Sequence, residues 1–139
     1  MAKPYTMLDH TADLRIRITG SDPADLFKNA GLALFDLIVN PNQLESREVI
    51  EVAVTGDDRA DLMVNYLREL LYLWTGKNQL VHLIAIAHIS DTAVSARVCT
   101  DRYQPQRHEI LHEIKAVTYH RIEVGRTADG WEATVVFDI

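Results

Sequence analysis

Cysteine is nearly absent from this 139-residue chain, which has only Cys99. A lone thiol cannot close an internal disulfide, so stability must come from core packing, as suits a reducing compartment. In a strand such a cysteine is expected to act as a small buried hydrophobe. Long hydrophobic runs are missing too. Nothing approaches the ~18 to 20 apolar residues that span a bilayer, which argues against a membrane protein. The opening Met1-Ala2-Lys3-Pro4-Tyr5 leads into patterned sequence without an apolar signal core, so the expected location is cytoplasmic.

Positive charge is also scarce. Lys plus Arg number 14 against 20 Asp plus Glu, giving a net charge of −6. That balance opposes tight autonomous binding to a DNA or RNA backbone, where cations must neutralise many phosphates. Any RNA would be held by a partner. No low-complexity stretch or internal repeat stands out, and the 47% hydrophobic, 24% charged composition is that of an ordinary globular protein. The length is near the commonest domain size, so residues 1–139 are expected to form a single domain.

What is present begins with two amphipathic segments. Asp22 can cap free amides and Pro23 fits a first helical position, and Leu26, Phe27, Ala30, Leu34, Leu37 and Ile38 then form an apolar stripe. Asn40-Pro41 ends it. A second helix starts after Gly56 with Asp57 or Asp58 as cap. It carries Leu62, Met63, Tyr66, Leu67, Leu70, Leu73 and Trp74 at helical spacing and stops at Gly76. Strand patterns cover residues 13–19, 47–54, 80–89, 92–99, 114–124 and 131–137. Leu14-Arg15-Ile16-Arg17-Ile18 alternates cleanly, so one face of that strand is wet. The order predicts an α+β fold, with mostly antiparallel sheet and two principal helices packed against it.

His108-Glu109-Ile110-Leu111-His112 matches the H-E-x-x-H pattern of zinc peptidases, in which two histidines on one helical face bind zinc and the glutamate activates water. That chemistry needs a helix. Pro105 lies just upstream and the β-rich Ala116-Val117-Thr118-Tyr119 just downstream, which leaves about two turns at most. A third ligand is not evident. A zinc-dependent hydrolase is therefore the lesser reading, and a general chaperone-like binding module a weaker one still. His82, His88 and His120 show no ligand spacing.

Acidic groups stand near both ends, in Asp9-His10-Thr11-Ala12-Asp13 and in Phe137-Asp138-Ile139, where the last residue adds its α-carboxylate. If the end segments lie side by side, these oxygens could share a hard cation. Asp9-His10-Thr11-Ala12-Asp13, Ala24-Asp25-Leu26-Phe27 with Ala33-Leu34-Phe35, Tyr66-Leu67-Arg68-Glu69-Leu70-Leu71, Glu113 to His120 and the terminal Val135-Val136-Phe137-Asp138-Ile139 resemble the archease family over nearly the whole chain and in the same order.

Archeases are small accessory proteins of the RNA-splicing ligase that joins tRNA halves. The resemblance implies a non-catalytic activator that promotes GTP-dependent guanylylation of the ligase and its repeated turnover, meeting tRNA only through that partner. It also implies a divalent-metal site on Asp13, Asp138 and Ile139, with calcium expected and magnesium or manganese as alternatives. Asp13, Lys115 and Asp138 would carry ligase activation. Glu69 is a secondary candidate from the second-helix pattern, and Asp9, His10 and Thr11 would shape the turn that presents Asp13.

Overall fold

A computed structural model describes residues 3–9, without the Asp9 side chain, and residues 13–139. The chain runs β1 (Tyr5–Asp9), β2 (Asp13–Gly20), α1 (Pro23–Ile38), a 3-10 turn (Pro41–Gln43), β3 (Glu48–Thr55), α2 (Arg59–Thr75), β4 (Gln79–Ile89), β5 (Ala93–Arg102), β6 (Ala116–Thr127) and β7 (Gly130–Asp138). Two antiparallel sheets form, in the orders β1-β2-β7-β6 and β3-β5-β4. The fold is α+β. Strand β1 has no counterpart in the sequence reading, because Thr6, Met7 and Leu8 are all exposed and carry no alternation.

The helices start where their caps dictate. Asp22 accepts the Asp25 amide at 2.8 Å and Asp58 accepts the Asp61 amide at 2.8 Å. Of the two caps expected for α2, Asp58 is the one used. Each helix packs against strands of both sheets: α1 against β2 and β4, α2 against β6 and β3. Phe27 of α1 meets Tyr66 of α2 with ring centroids 5.3 Å apart. The buried stripes therefore merge into one apolar cluster with the inward residues of the strands.

The two helix entries repeat each other, which corrects the expectation of no internal repeat. Thr19-Gly20-x-Asp22-x-Ala24-Asp25-Leu26-x-x-Asn29 recurs as Thr55-Gly56-x-Asp58-x-Ala60-Asp61-Leu62-x-x-Asn65. The hydrogen bonds recur with the letters. Asp25 accepts the Ser21 amide and Asp61 the Asp57 amide, both at 2.8 Å. Asn29 donates to the Thr19 carbonyl and Asn65 to the Thr55 carbonyl, both at 2.9 Å. Gly20 and Gly56 are required by close approach, since a Cβ would stand 2.4 Å from the Leu26 nitrogen and 2.6 Å from that of Leu62.

The topology shows the same repetition. In each unit a strand leads into a helix, two further strands follow, and the last strand pairs between the other two: β2-α1-β6-β7 and β3-α2-β4-β5. The second unit is nested between α1 and β6 of the first. Nesting brings the N-terminal β2 beside the C-terminal β7. Cys99 lies on the outward side of β5 and is partly exposed, so the fully buried setting expected for it is not found.

Candidate functional site

Strand β7 runs between β2 and β6, so its last residue has neighbours on both sides. Asp13 is the register partner of Asp138 across one ladder, and Ala116 is its partner across the other. Beyond the β6 pairing, the Lys115 amide donates to the Asp138 carbonyl at 2.8 Å. The neighbouring row explains why this register holds. Leu14, Phe137 and Val117 pair there and are each 1% exposed. A one-residue slip would bury Asp13 and expose the apolar row.

Directly opposed residues of an antiparallel pair hold their Cβ atoms about 5 Å apart, and like charges so placed repel. Asp13 is half-buried and Asp138 exposed. Two carboxylates at this spacing suit a hard divalent cation, with main-chain oxygen and water completing its shell. Ile139 follows directly, and its main-chain oxygens are the nearest further donors in sequence. Among the described residues, no three His, Cys, Asp or Glu side chains group as a metal site. A cation held here would have two side-chain carboxylates and backbone oxygen as its protein donors. Lys115 is exposed next to the pair, with its amide anchoring it there.

Glu69 is placed differently. It sits on the exposed face of α2, on a different element from the β2–β7 ladder that pairs Asp13 with Asp138. Its neighbour Arg68 does reach β6: Nε donates to the Val117 carbonyl at 3.0 Å, and the guanidinium lies 4.8 Å from the centre of the Tyr119 ring. The Tyr119 hydroxyl donates to Asp61 at 2.6 Å. That bond lowers the Asp61 carboxyl below its ordinary range and raises the Tyr119 phenol. The sequence reading missed this unit. It depends on the irregular register between Thr118 and Glu123, where β6 leaves β7 for several residues. His10, Thr11 and the Asp9 side chain, expected to shape the turn before Asp13, lie outside the described residues.

The peptidase-like motif does not form a zinc centre. Residues 103–115 contain no helix, and Ile110 instead bridges to Val39. His108 is 2% exposed and both its ring nitrogens are used. Nδ1 accepts the Gln104 amide at 3.0 Å, and Nε2 lies 3.0 Å from Asp101 Oδ2. This pattern places the ring proton on Nε2. Asp101 also receives Arg107 on both oxygens at 3.0 Å and the Glu45 amide at 3.0 Å. His108 therefore pins the segment between β5 and β6. His112 is exposed without a helix to align it with His108.

Comparison with known proteins decides the family. Residues 5–139 match the model of the archease protein family (MTH1598/TM1083). The chain belongs to the archease family. The archease of Methanosarcina acetivorans is 36% identical over 141 residues, covering 99% of this chain and 97% of that protein. The archease of Pyrococcus abyssi is 37% identical over 142 residues, covering 99% of each. In solved structures, protein 1598 of Methanobacterium thermoautotrophicum superposes with a TM-score of 0.82 at 26% identity, over 99% of this chain and 100% of that one. This archease fold thus has an experimentally solved counterpart. Among the described residues, no helix is long and apolar enough to cross a membrane.

Proposed function

We propose that this chain is an accessory activator of an RNA-splicing ligase in tRNA splicing, promoting GTP-dependent guanylylation and multiple turnover of the ligase without catalysing either step. The observation that carries this reading is the facing of Asp13 and Asp138 beside Lys115 in a member of the archease family. In this proposal Asp13 and Asp138, with main-chain oxygen from Ile139, would hold calcium, or else magnesium or manganese, and a bound cation would offer Lewis-acid charge to an oxygen of the ligase or its nucleotide.

The residues of the chain would do the rest. Rigid pairing of β2, β7 and β6 fixes the two carboxylates before the partner arrives, so little ordering is left for the encounter. Lys115 would present a compact positive charge to a phosphate. An activator can shift the ligase towards a competent conformation only by binding that conformation more tightly. With a net charge of −6, tRNA would be reached through the ligase rather than gripped directly, and the working location would be the cytoplasm.

The test is guanylylation of purified ligase by GTP, followed with and without the chain, in calcium, magnesium or manganese. The expected result is faster and more complete guanylylation when the chain is present, and no turnover by the chain alone. Identical time courses with and without the chain in every ion would defeat the proposal.

A further inference from the structure

A second feature adjoins the carboxylate pair and shares only Lys115 with it. A cavity of about 530 Å³ lies between the end of α2 and the segment leading into β6, with Trp74, Asn78, Tyr103, Ile110, Glu113 and Lys115 in its wall. Its volume is in the range of small-molecule sites. Two of its walls are aromatic and held in place. Tyr103 meets Trp74 edge-on at 5.1 Å and stacks on His108 at 6.1 Å, and its amide donates to the Asn78 carbonyl at 2.9 Å. The Asp101 network therefore fixes one face of the cavity through His108.

Two of the polar groups around it, Asn78 and Glu113, have no part in the carboxylate site. Asn78 takes the left-handed conformation, with φ 57, and uses its backbone amide on the Trp74 carbonyl. Among the described residues, the side chains of Asn78, Glu113 and Lys115 enter none of the hydrogen bonds or ion pairs that tie the fold together. An aromatic cavity rimmed by an amide, a carboxylate and an ammonium fits a planar base carrying an anionic group. Aromatic side chains offer a base apolar surface to pack against. A carboxylate offers two acceptors side by side, which match the adjacent N1–H and N2–H donors of guanine; adenine presents an acceptor at N1. The acidity of the whole chain favours one nucleotide over a strand, since a strand would need many cations.

We infer that this cavity binds a single guanosine 5′-phosphate, with the base beside Trp74 and Tyr103, Glu113 accepting from its N–H edge, and the phosphate towards Lys115. Because the Lys115 amide is bonded to the Asp138 carbonyl, the phosphate end would lie on the side of the carboxylate pair. The inference rests on the cavity and does not require the ligase.

It is tested on the isolated full chain. Trp74 and Trp131 are its two tryptophans, so a Trp131→Phe variant reports from Trp74 alone. The fluorescence of that variant is titrated with GMP, AMP, CMP and UMP in metal-free buffer, and calorimetry with GMP is run on the parent. The expected result is saturable quenching that is tightest for GMP. Binding should weaken about tenfold or more with Glu113→Gln and with Lys115→Ala, roughly 1.4 kcal/mol each. No saturable change with any nucleotide, equal affinity for GMP and AMP, or unchanged GMP binding in Glu113→Gln would each overturn the assignment. Ligase activation plays no part in this readout, so either proposal can fail while the other stands.

Discussion

Asp13 and Asp138 face each other in register across the β2–β7 ladder, one row beyond the buried pair Leu14 and Phe137. Two like charges in directly opposed positions cost roughly 0.2–1 kcal/mol. In divalent-free buffer, Asp138→Asn should therefore be more stable than the parent by about that amount, as measured by urea unfolding. Added calcium should reverse the order, because an ion held by the native state stabilises it in proportion to RT ln(1 + [L]/Kd). A parent protein whose unfolding midpoint ignores calcium, magnesium and manganese alike would remove the cation from the account.

Asp101 should make stability depend on pH in acid. Burial pushes its carboxyl up, but the Glu45 amide, His108 and Arg107 outweigh this and hold it below the ordinary aspartate range. With the folded value lower than the unfolded one, its stabilisation is fully present above the ordinary value of about 3.9 and is lost as pH falls through the folded value. Asp101→Ala should cost about 3 kcal/mol near neutrality by stranding its partners. The gap between parent and variant should narrow as pH drops below about 4. A gap constant with pH in urea titrations would contradict this role.

Tyr66 is fully buried, and its hydroxyl has no hydrogen-bond partner among the described residues. Burial alone drives its phenol far up. Tyr66→Phe keeps the ring against Phe27 and removes an unpaired polar atom, so it should be neutral or stabilising by about 1 kcal/mol. Chemical denaturation measures this directly, and a loss above about 1 kcal/mol would mean that the hydroxyl has a partner.

The repeated helix entries make matched predictions. Gly20→Ala and Gly56→Ala would each drive a methyl group into the backbone of a following leucine. Each should destabilise by about 1–3 kcal/mol. Alanine at Gly125, where an added Cβ meets nothing within 4 Å, should cost far less in the same assay.

Local chemistry made much of the fold legible. Asp22-Pro23 and Asp58 specify helix starts through their own side chains, and Leu14-Ile16-Ile18 specifies an inward strand face by alternation alone. Strand β1 was hidden because an edge strand with Thr6, Met7 and Leu8 exposed leaves no periodic trace. The nested repeat was hidden because the shared letters are those that cap and brace the helices, while the strands that complete each unit differ in sequence. At the site, the acidic ends suggested convergence and the family resemblance selected Asp13, Asp138, Ile139 and Lys115. The pairing that places Asp138 between Asp13 and Ala116 is a long-range property of the sheet. His108 shows the same limit from the other side: its motif suggested zinc, whereas tertiary contact with Asp101 makes it a structural hydrogen-bonding residue.

In the proposed function, the Asp13–Asp138 pair and Lys115 form the surface that activates an RNA-splicing ligase. The most direct measurement is the initial rate of ligase guanylylation at fixed GTP and calcium, comparing the parent chain with Asp13→Ala, Lys115→Ala and Asp138→Ala, each first shown by circular dichroism and urea unfolding to be folded. Stimulation should fall about tenfold or more in every variant, a loss of at least about 1.4 kcal/mol. Full stimulation by all three folded variants would contradict it.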